Sequence, residues 1–101
     1  IANINARSVI NKADSLEIQL LLHDPHVTVI TETWLHDQVT NDLVFPPCYE
    51  IFRRDRAHRG GGVAVLIKHP IEATLIDENP DIECLCIKLS CWGHLFVLFA
   101  C

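Results

Sequence analysis

A carboxylate and an amide are the residues whose types and positions point most directly to chemistry. Glu32 lies in the segment TETW, directly after the almost wholly β-branched run Val27 to Thr31. Asn5 ends a short segment in which apolar and polar residues alternate. A magnesium ion often takes a single carboxylate from a protein, because it keeps its remaining positions for water and substrate phosphate oxygens. The alternative for Glu32 is a solvated acid at the end of a strand.

Two strands are predicted to carry these residues. The alternation over Ile1 to Asn5 predicts the end of one strand, and the β-branched run predicts a second. The intervening segment has Leu16 and Leu20 at helical spacing, with Leu21 widening the apolar stripe, so it predicts a helix. Its ends are expected at residues that favour a cap or a stop: Ser8 or Asn11 at the start, and Asp24-Pro25 at the end.

A strand, a helix and a strand in this order form a β-α-β unit, whose two strands lie parallel. The carboxyl ends of both strands then emerge at the same edge of the sheet, where open α/β sheets bind ligands. We therefore predict that Asn5 and Glu32 converge, close enough for one hydrated metal ion and one phosphate to lie between them. Asn3 competes with Asn5 for this role, but it lies deeper in the strand.

The second half of the chain predicts hairpins. From Pro46 onward, short β runs are separated by turns that contain glycine or proline. Short connections imply antiparallel strands, joined to the β-α-β unit in one mixed sheet of an α/β domain that covers residues 1–101. The predicted strands are Tyr49–Arg53, Gly62–Lys68, Ile71–Ile76, Ile82–Ser90 and His94–Ala100.

A basic stretch interrupts an acidic chain. The formal net charge is −5, which by itself disfavours a nucleic-acid binder. Within the segment FRRDRAHRGGG, however, Arg53, Arg54, Arg56 and Arg59 stand against one acid, Asp55. Arginine forms bidentate hydrogen bonds to phosphate, and several arginines together supply salt-dependent affinity for nucleic acid. The alternative is a solvated hairpin tip whose glycines only permit the turn.

Several other kinds of site are disfavoured. The sequence contains five cysteines, an odd number, and no two of them form a C-x-x-C pair. This argues against a disulfide scaffold and against a zinc site of four cysteines. We expect buried free thiols in a reducing compartment. The six histidines lack ligand spacing, so none is assigned to a metal. Trp34 and Trp92 are expected to pack, and Ser8 and Ser90 have no evident partners for a hydrolase triad.

Both ends of the sequence suggest a piece of a longer domain. The chain begins without Met and ends in the apolar run His94–Cys101, which contains no turn residue or polar tail. This run is shorter than the roughly 20 apolar residues that span a bilayer, and the N-terminus shows no signal segment. We therefore expect no membrane association. We also expect marginal stability for the isolated chain, because one sheet face is left uncovered.

Four segments carry the most specific motifs: NARSVINK (Asn5–Lys12), DPHVTVITETWL (Asp24–Leu35), FRRDR (Phe52–Arg56) and RGGGVAVLIK (Arg59–Lys68). Together they resemble the endonuclease domain of non-long-terminal-repeat (LINE-type) retrotransposons, within the endonuclease/exonuclease/phosphatase superfamily. They follow one another in the family's order and at close to its spacing, and the resemblance covers essentially the whole chain. TETWL and RGGGV together, with NARS upstream, are specific to that branch.

The resemblance implies the N-terminal part of a four-layered α/β sandwich with mixed sheets. It implies a magnesium-dependent endonuclease that nicks one DNA strand, so that the freed 3′ hydroxyl primes a reverse-transcriptase domain of the same polyprotein. On that pattern Asn5 is the first catalytic asparagine and Glu32 binds the metal. The hairpin that contains Arg53, Arg54, Arg56 and Arg59 lies near the DNA. Such a protein acts inside the cell with access to nuclear DNA.

The family's remaining catalytic residues have no counterpart in the sequence: a Tyr, an Asp/Asn pair, and late Asp and His residues. Because such groups act as one unit, the chain alone is expected to be inactive. Two alternatives stay open at this point. One is a non-catalytic transposon relic that at most binds nucleic acid or a partner. The other is a sugar-phosphate or inositol-phosphate phosphatase of the same superfamily.

Overall fold

The computed structural model describes residues 1–56, 60–76 and 82–101. Arg59, predicted above to contact phosphate, lies outside the described residues. No helix in these ranges is long and apolar enough to cross a bilayer. The elements in chain order are β1 (Ala2–Asn5), a 3-10 turn (Ile10–Lys12), α1 (Ala13–His23), β2 (Val27–Thr31), α2 (Asn41–Val44), β3 (Tyr49–Arg54), β4 (Val63–Lys68), β5 (Glu72–Leu75), β6 (Leu85–Cys91) and β7 (His94–Ala100).

The first sheet has the strand order β1-β2-β4-β3. β1 pairs with β2 in parallel and places Asn5 opposite Thr31, as the predicted β-α-β unit requires. The other pairings in this sheet are antiparallel, so the sheet is mixed. The strand Val27–Thr31 is buried along almost its whole length, because consecutive apolar and branched side chains supply both of its faces.

α1 covers one face of this sheet. Leu16 and Leu20 are buried in a cluster with Ile30 from β2 and Leu66 from β4. Leu21 was predicted to widen the apolar stripe, and this is wrong, since its side chain is 75% exposed. Successive helical residues project about 100° apart, so the face that buries Leu20 carries Leu21 toward solvent.

The start of α1 differs from the prediction, whereas its end agrees with it. Lys12 occupies the N-cap position and makes no capping hydrogen bond through its side chain, so neither Ser8 nor Asn11 caps the helix. Ser8 is instead buried, and its backbone N–H donates to the carbonyl of Glu32 at 2.9 Å. Asp24 ends the helix in a left-handed conformation, with its N–H bonded back to the last turn.

β3 and β4 join the β-α-β unit in one mixed sheet, as predicted. The same expectation is wrong for β5, β6 and β7, which form a second sheet. The second sheet has the order β5-β6-β7 and packs on the face of the first sheet opposite α1. Val29 and Val65 from the first sheet share a buried cluster with Ile87 and Leu89 from β6. β2 and β4 present apolar side chains on both faces of the first sheet. On the face that α1 does not cover, these side chains are removed from water only if another layer packs on them. The structure thus contains one helical layer and two sheet layers. This arrangement agrees with the α/β sandwich that the resemblance implied.

The outer face of β7 is apolar and exposed, whereas its neighbour β6 carries Lys88 and Ser90 on the same face. Leu95, Val97 and Phe99 alternate along β7, and their exposed fractions are 70%, 66% and 65%. Leu98, between them, packs toward the core. An exposed apolar face of this kind promotes association. The marginal stability of the isolated chain stays a prediction, and this face is its physical basis.

The cysteines also depart from the expectation of free thiols. Cys84 and Cys101 form a disulfide with an S–S distance of 2.13 Å. Leu85 pairs with Ala100, and this pairing brings together the residues just outside the two strand ends. Sequence spacing does not reveal such a relation, because it depends on the strand register. The free cysteines are Cys48, Cys86 and Cys91.

Candidate functional site

The carboxyl ends of β1 and β2 lie side by side. Asn5 pairs in register with Thr31, and Glu32 follows directly. The predicted convergence of Asn5 and Glu32 at one edge of the sheet is therefore confirmed. Asn5 is exposed and Glu32 is half-buried, so both side chains border solvent. Asn3 pairs with Val29, deeper in the strand, which places it further from Glu32.

The backbone at these strand ends adopts conformations that most residues avoid. Glu32 and Trp34 have φ values of 55° and 56°, and Arg7 and Ser8 have values of 47° and 83°. A left-handed conformation costs a residue with a Cβ about 1–2 kcal/mol, so it persists only where surrounding contacts impose it. Here the N–H groups of Ser8 and Val9 donate to the carbonyls of residues 32 and 33, at 2.9 and 3.0 Å. The path of the chain past the strand ends is thereby fixed.

Neighbouring donors hold the Glu32 carboxylate. Trp34 donates its indole Nε1–H to Oε2 of Glu32 at 2.9 Å. This hydrogen bond is the main cause that lowers the pKa of Glu32 below its ordinary value. Partial burial opposes the shift, whereas the Gly61 N–H and the charges of Arg56 and Arg7 add to it. Glu32 is therefore ionised at neutral pH, which is the form that a cation requires.

The turn Gly60–Gly62 packs against the segment that follows β2. The N–H of Trp34 donates to the carbonyl of Gly61 at 2.8 Å, and that of Thr33 donates to the carbonyl of Gly62 at 3.4 Å. All three glycines have a positive φ. A Cβ on Gly62 would lie 2.4 Å from Oγ1 of Thr33, which is fully buried. The turn therefore requires glycine both for its backbone and for this close approach.

Arg56 lies over the glycine turn and is paired with Glu83. Its Nε and Nη2 atoms each lie 3.0 Å from Oε2 of Glu83. The other carboxylate oxygen of Glu83 accepts the backbone N–H of Gly62. A Cβ on Gly61 would lie 2.3 Å from the guanidinium carbon, so the guanidinium packs on the bare turn. Nothing local in the sequence marks Glu83, because it belongs to the segment before β6 in the other sheet.

The Arg53 side chain forms hydrogen bonds within the protein. Its five N–H donors have five acceptors, which is the full capacity of a guanidinium. Two acceptors are the carboxylate oxygens of Asp55, and the others are the carbonyls of His36 and Val39 and the side-chain oxygen of Asn41. The bonds to His36 and Val39 tie the loop after β2 to β3. The prediction that Arg53 contacts phosphate does not fit this geometry, because every donor is occupied.

The other described arginines of this stretch have a different setting. Arg54 is half-buried at the end of β3, and the side chain of Arg56 is 47% exposed. Arg56 lines an open groove of about 400 Å³ together with His36, Asp37 and Asp55. Its guanidinium is therefore partly open to solvent.

Magnesium fits the residues at the strand ends. This ion binds through one or two carboxylates and keeps several waters, and Glu32 with Asn5 offers one ionised carboxylate and one exposed amide. The described parts of the chain contain no group of three or more His, Cys, Asp or Glu residues that could bind a metal. A site built from three or four such ligands, as zinc prefers, is therefore not formed by these residues.

The sandwich of helix and sheets has counterparts in known proteins. The model of the Endonuclease/Exonuclease/phosphatase family matches residues 2–89. The chain therefore belongs to this family. A comparison with curated protein sequences finds no match.

Solved structures share the fold at low sequence identity. D. rerio TDP2 in complex with a single-strand DNA product is similar with a TM-score of 0.65 and 18% identity, over 96% of this chain and 42% of that chain. An AP endonuclease from Archaeoglobus fulgidus is similar with a TM-score of 0.59 and 15% identity, over 94% and 38%. The 3′ phosphatase NExo from Neisseria, bound to a product DNA hairpin, is similar with a TM-score of 0.57 and 14% identity, over 94% and 38%. The chain spans about two-fifths of the length of these structures.

Replacing Trp34 with Phe should raise the pKa of Glu32, because it removes the main donor that favours the ionised carboxylate. Since the folded-state pKa is lowered, Glu32 contributes stability above its unfolded-state pKa and loses it as the pH falls through the folded-state pKa. The substitution should reduce this contribution. An NMR titration of the Glu carboxyl carbons in both proteins measures the shift. A Glu32 titration identical in both proteins would contradict this role of Trp34.

Proposed function

We propose that the chain is part of a magnesium-dependent DNA endonuclease, which hydrolyses a phosphodiester bond and so nicks its target. The observation that carries the proposal is the position of an ionised carboxylate, Glu32, beside the exposed amide of Asn5 at the paired ends of β1 and β2. Open α/β sheets bind ligands at this edge. Membership of the family, and the DNA bound to two of the similar structures, support the same class of substrate.

In this proposal, each residue at the strand ends has a separate role. Glu32 holds the metal, and Trp34 with the Gly61 N–H fixes the orientation of its carboxylate. When bound, magnesium supplies Lewis-acid stabilisation of the charge on phosphate oxygens. Asn5 orients the phosphate through its side-chain amide. Its register position next to Thr31 favours it over Asn3 for this role.

Contacts to the DNA backbone come from the arginine-rich stretch. Arg56 is partly exposed and borders an open groove. Arg54 and Arg59 belong to the same stretch and complete the phosphate-contacting set in this proposal. A local cluster of positive charge is enough to bind phosphate even though the chain carries a net charge of −5. Arg53 supports this surface indirectly, because it holds the neighbouring loop in place.

The proposed biological role is the nick that starts reverse transcription of a retroelement. The motifs TETWL and RGGGV, with NARS upstream, resemble those of retrotransposon endonucleases and support this role. The partners are then DNA and a reverse-transcriptase domain in the same polyprotein, in an intracellular protein with access to nuclear DNA. Because the chain spans about two-fifths of the length of the structures it matches, activity is to be measured in the full-length protein.

Glu32→Ala should abolish nicking of supercoiled plasmid by the full-length protein. Metal stabilisation of a phosphoryl group supplies several kcal/mol, so the loss should be at least about 100-fold in rate. The fold should persist, which circular dichroism checks. Affinity for DNA should change little, because binding depends mainly on basic contacts to phosphates.

Glu72→Ala is the matched control, since it removes an exposed acid from β5 in the other sheet. Wild-type nicking by Glu32→Ala would remove Glu32 from the mechanism. A 3′-phosphorylated oligonucleotide in the same assay separates an endonuclease from a phosphatase. Binding of DNA by the wild-type protein without any turnover in magnesium would indicate a non-catalytic relic.

Substitution of Arg56 and of Arg53 should have different effects. Arg56→Gln should weaken DNA binding and reduce the slope of log affinity against log salt by about one, because one phosphate contact is lost. Arg53→Gln should keep the slope and lower the free energy of unfolding by roughly 1.5–3 kcal/mol, the range for a hydrogen-bonded charged group. Its side chain is only 16% exposed. Fluorescence anisotropy and urea denaturation measure the two effects, and a wild-type slope for Arg56→Gln would contradict the contact.

A further inference from the structure

Glu83 joins the second sheet to the proposed site. One of its carboxylate oxygens accepts from Arg56 at 3.0 Å, and the other accepts the N–H of Gly62. Gly62 belongs to the glycine turn and Arg56 packs on it, and this turn is hydrogen-bonded to the residues that follow Glu32. The neighbouring Gly61 donates its N–H to the Glu32 carboxylate, and the charge of Arg56 acts on the same group. Glu83 therefore contacts the surroundings of Glu32 on two sides without belonging to any of the sequence motifs.

Arg56 is paired with Glu83, and its charge also acts on the Glu32 carboxylate. A cation beside a metal-binding carboxylate competes with the metal, because both are attracted by the same negative charge. Pairing with Glu83 engages two nitrogens of the guanidinium and holds it over the glycine turn. The two side chains of this pair are 47% and 33% exposed, so the pair has the modest strength of a surface ion pair. It is weak enough for Arg56 to engage a phosphate in addition.

We propose that Glu83 is a positioning residue that holds Arg56 away from Glu32, so that Glu32 is available to magnesium and Arg56 to a phosphate. The inference rests on the proposed function, because it concerns the same site. Glu83 touches neither the metal nor the reacting atoms and acts through Arg56. In its absence, Arg56 turns toward Glu32 and forms the competing ion pair.

The test is a double-mutant cycle of Glu83→Gln and Arg56→Gln in the full-length protein. The readout is the magnesium concentration that gives half-maximal nicking at saturating DNA. Glutamine keeps an oxygen that can accept the Gly62 N–H, but it lacks the charge that holds Arg56. Glu83→Gln alone should raise the magnesium requirement about two- to fivefold, the range for a partly exposed ion pair. The rate at saturating magnesium should be retained.

In the Arg56→Gln background, the same Glu83→Gln change should have no effect, because no arginine is left to restrain. Such non-additivity is the signature of two residues that act through each other. An equal increase in both backgrounds would overturn the proposal, since Glu83 would then act through its own charge. No increase in either background would overturn it as well.

A second readout does not depend on turnover. Calorimetric titration with Mn²⁺ should show the same pattern of affinities across the cycle, while thermal unfolding checks that each variant is folded. If the glutamine variant unfolds, Glu83→Asp replaces it, because it keeps the charge and shortens the reach to Arg56. Failure of the proposed function looks different: Glu32→Ala would then nick as well as the wild-type protein.

Discussion

The parallel pairing of β1 with β2 is the constraint on which the site depends. The ladder continues past the strand ends, because the N–H groups of Ser8 and Val9 donate to the carbonyls of residues 32 and 33. The apolar strand Val27–Thr31 supplies the driving force for this arrangement. Ile30 within it has no exposed surface, and burying such a side chain stabilises the fold by about 1.5–3 kcal/mol. This burial offsets the cost of the left-handed backbone at Glu32, which the ladder and the glycine turn impose.

Charge around Glu32 is organised by parts of the chain that are distant in sequence. Trp34 and the glycine turn supply donors to its carboxylate, and Arg56 adds a positive charge that Glu83 holds from the second sheet. The donors of Arg53, three residues before Arg56, are instead all occupied within the protein, two of them by carbonyls of the loop after β2. Residues of one type within one short stretch thus have different roles. Local arrangement, rather than the net charge of −5, decides where a phosphate can bind.

Features that depend on neighbouring residues, or on general rules of chain topology, could be predicted from the sequence. The β-branched run, the stop at Asp24-Pro25 and the parallel crossover are of this kind, and together they place Asn5 beside Glu32. The second sheet was implied only by the family resemblance. The residue pattern alone could not predict it, because it depends on which faces of β2 and β4 still need cover after α1 has packed. The partner of Arg56 and the bond between Cys84 and Cys101 are also nonlocal, since they follow from the register and packing of assembled strands.

If the strand ends hold the metal, paramagnetic Mn²⁺ should report its position directly, because it broadens NMR signals most strongly for the nearest atoms. We expect the side-chain amide of Asn5 and the backbone amides of Glu32 and Trp34 to broaden first as Mn²⁺ is added to the labelled protein. Glu32→Gln should abolish this selective broadening. Broadening that begins instead around Asp37 and Asp55 in the open groove, with the Asn5 amide unaffected, would contradict a metal site at the ends of β1 and β2.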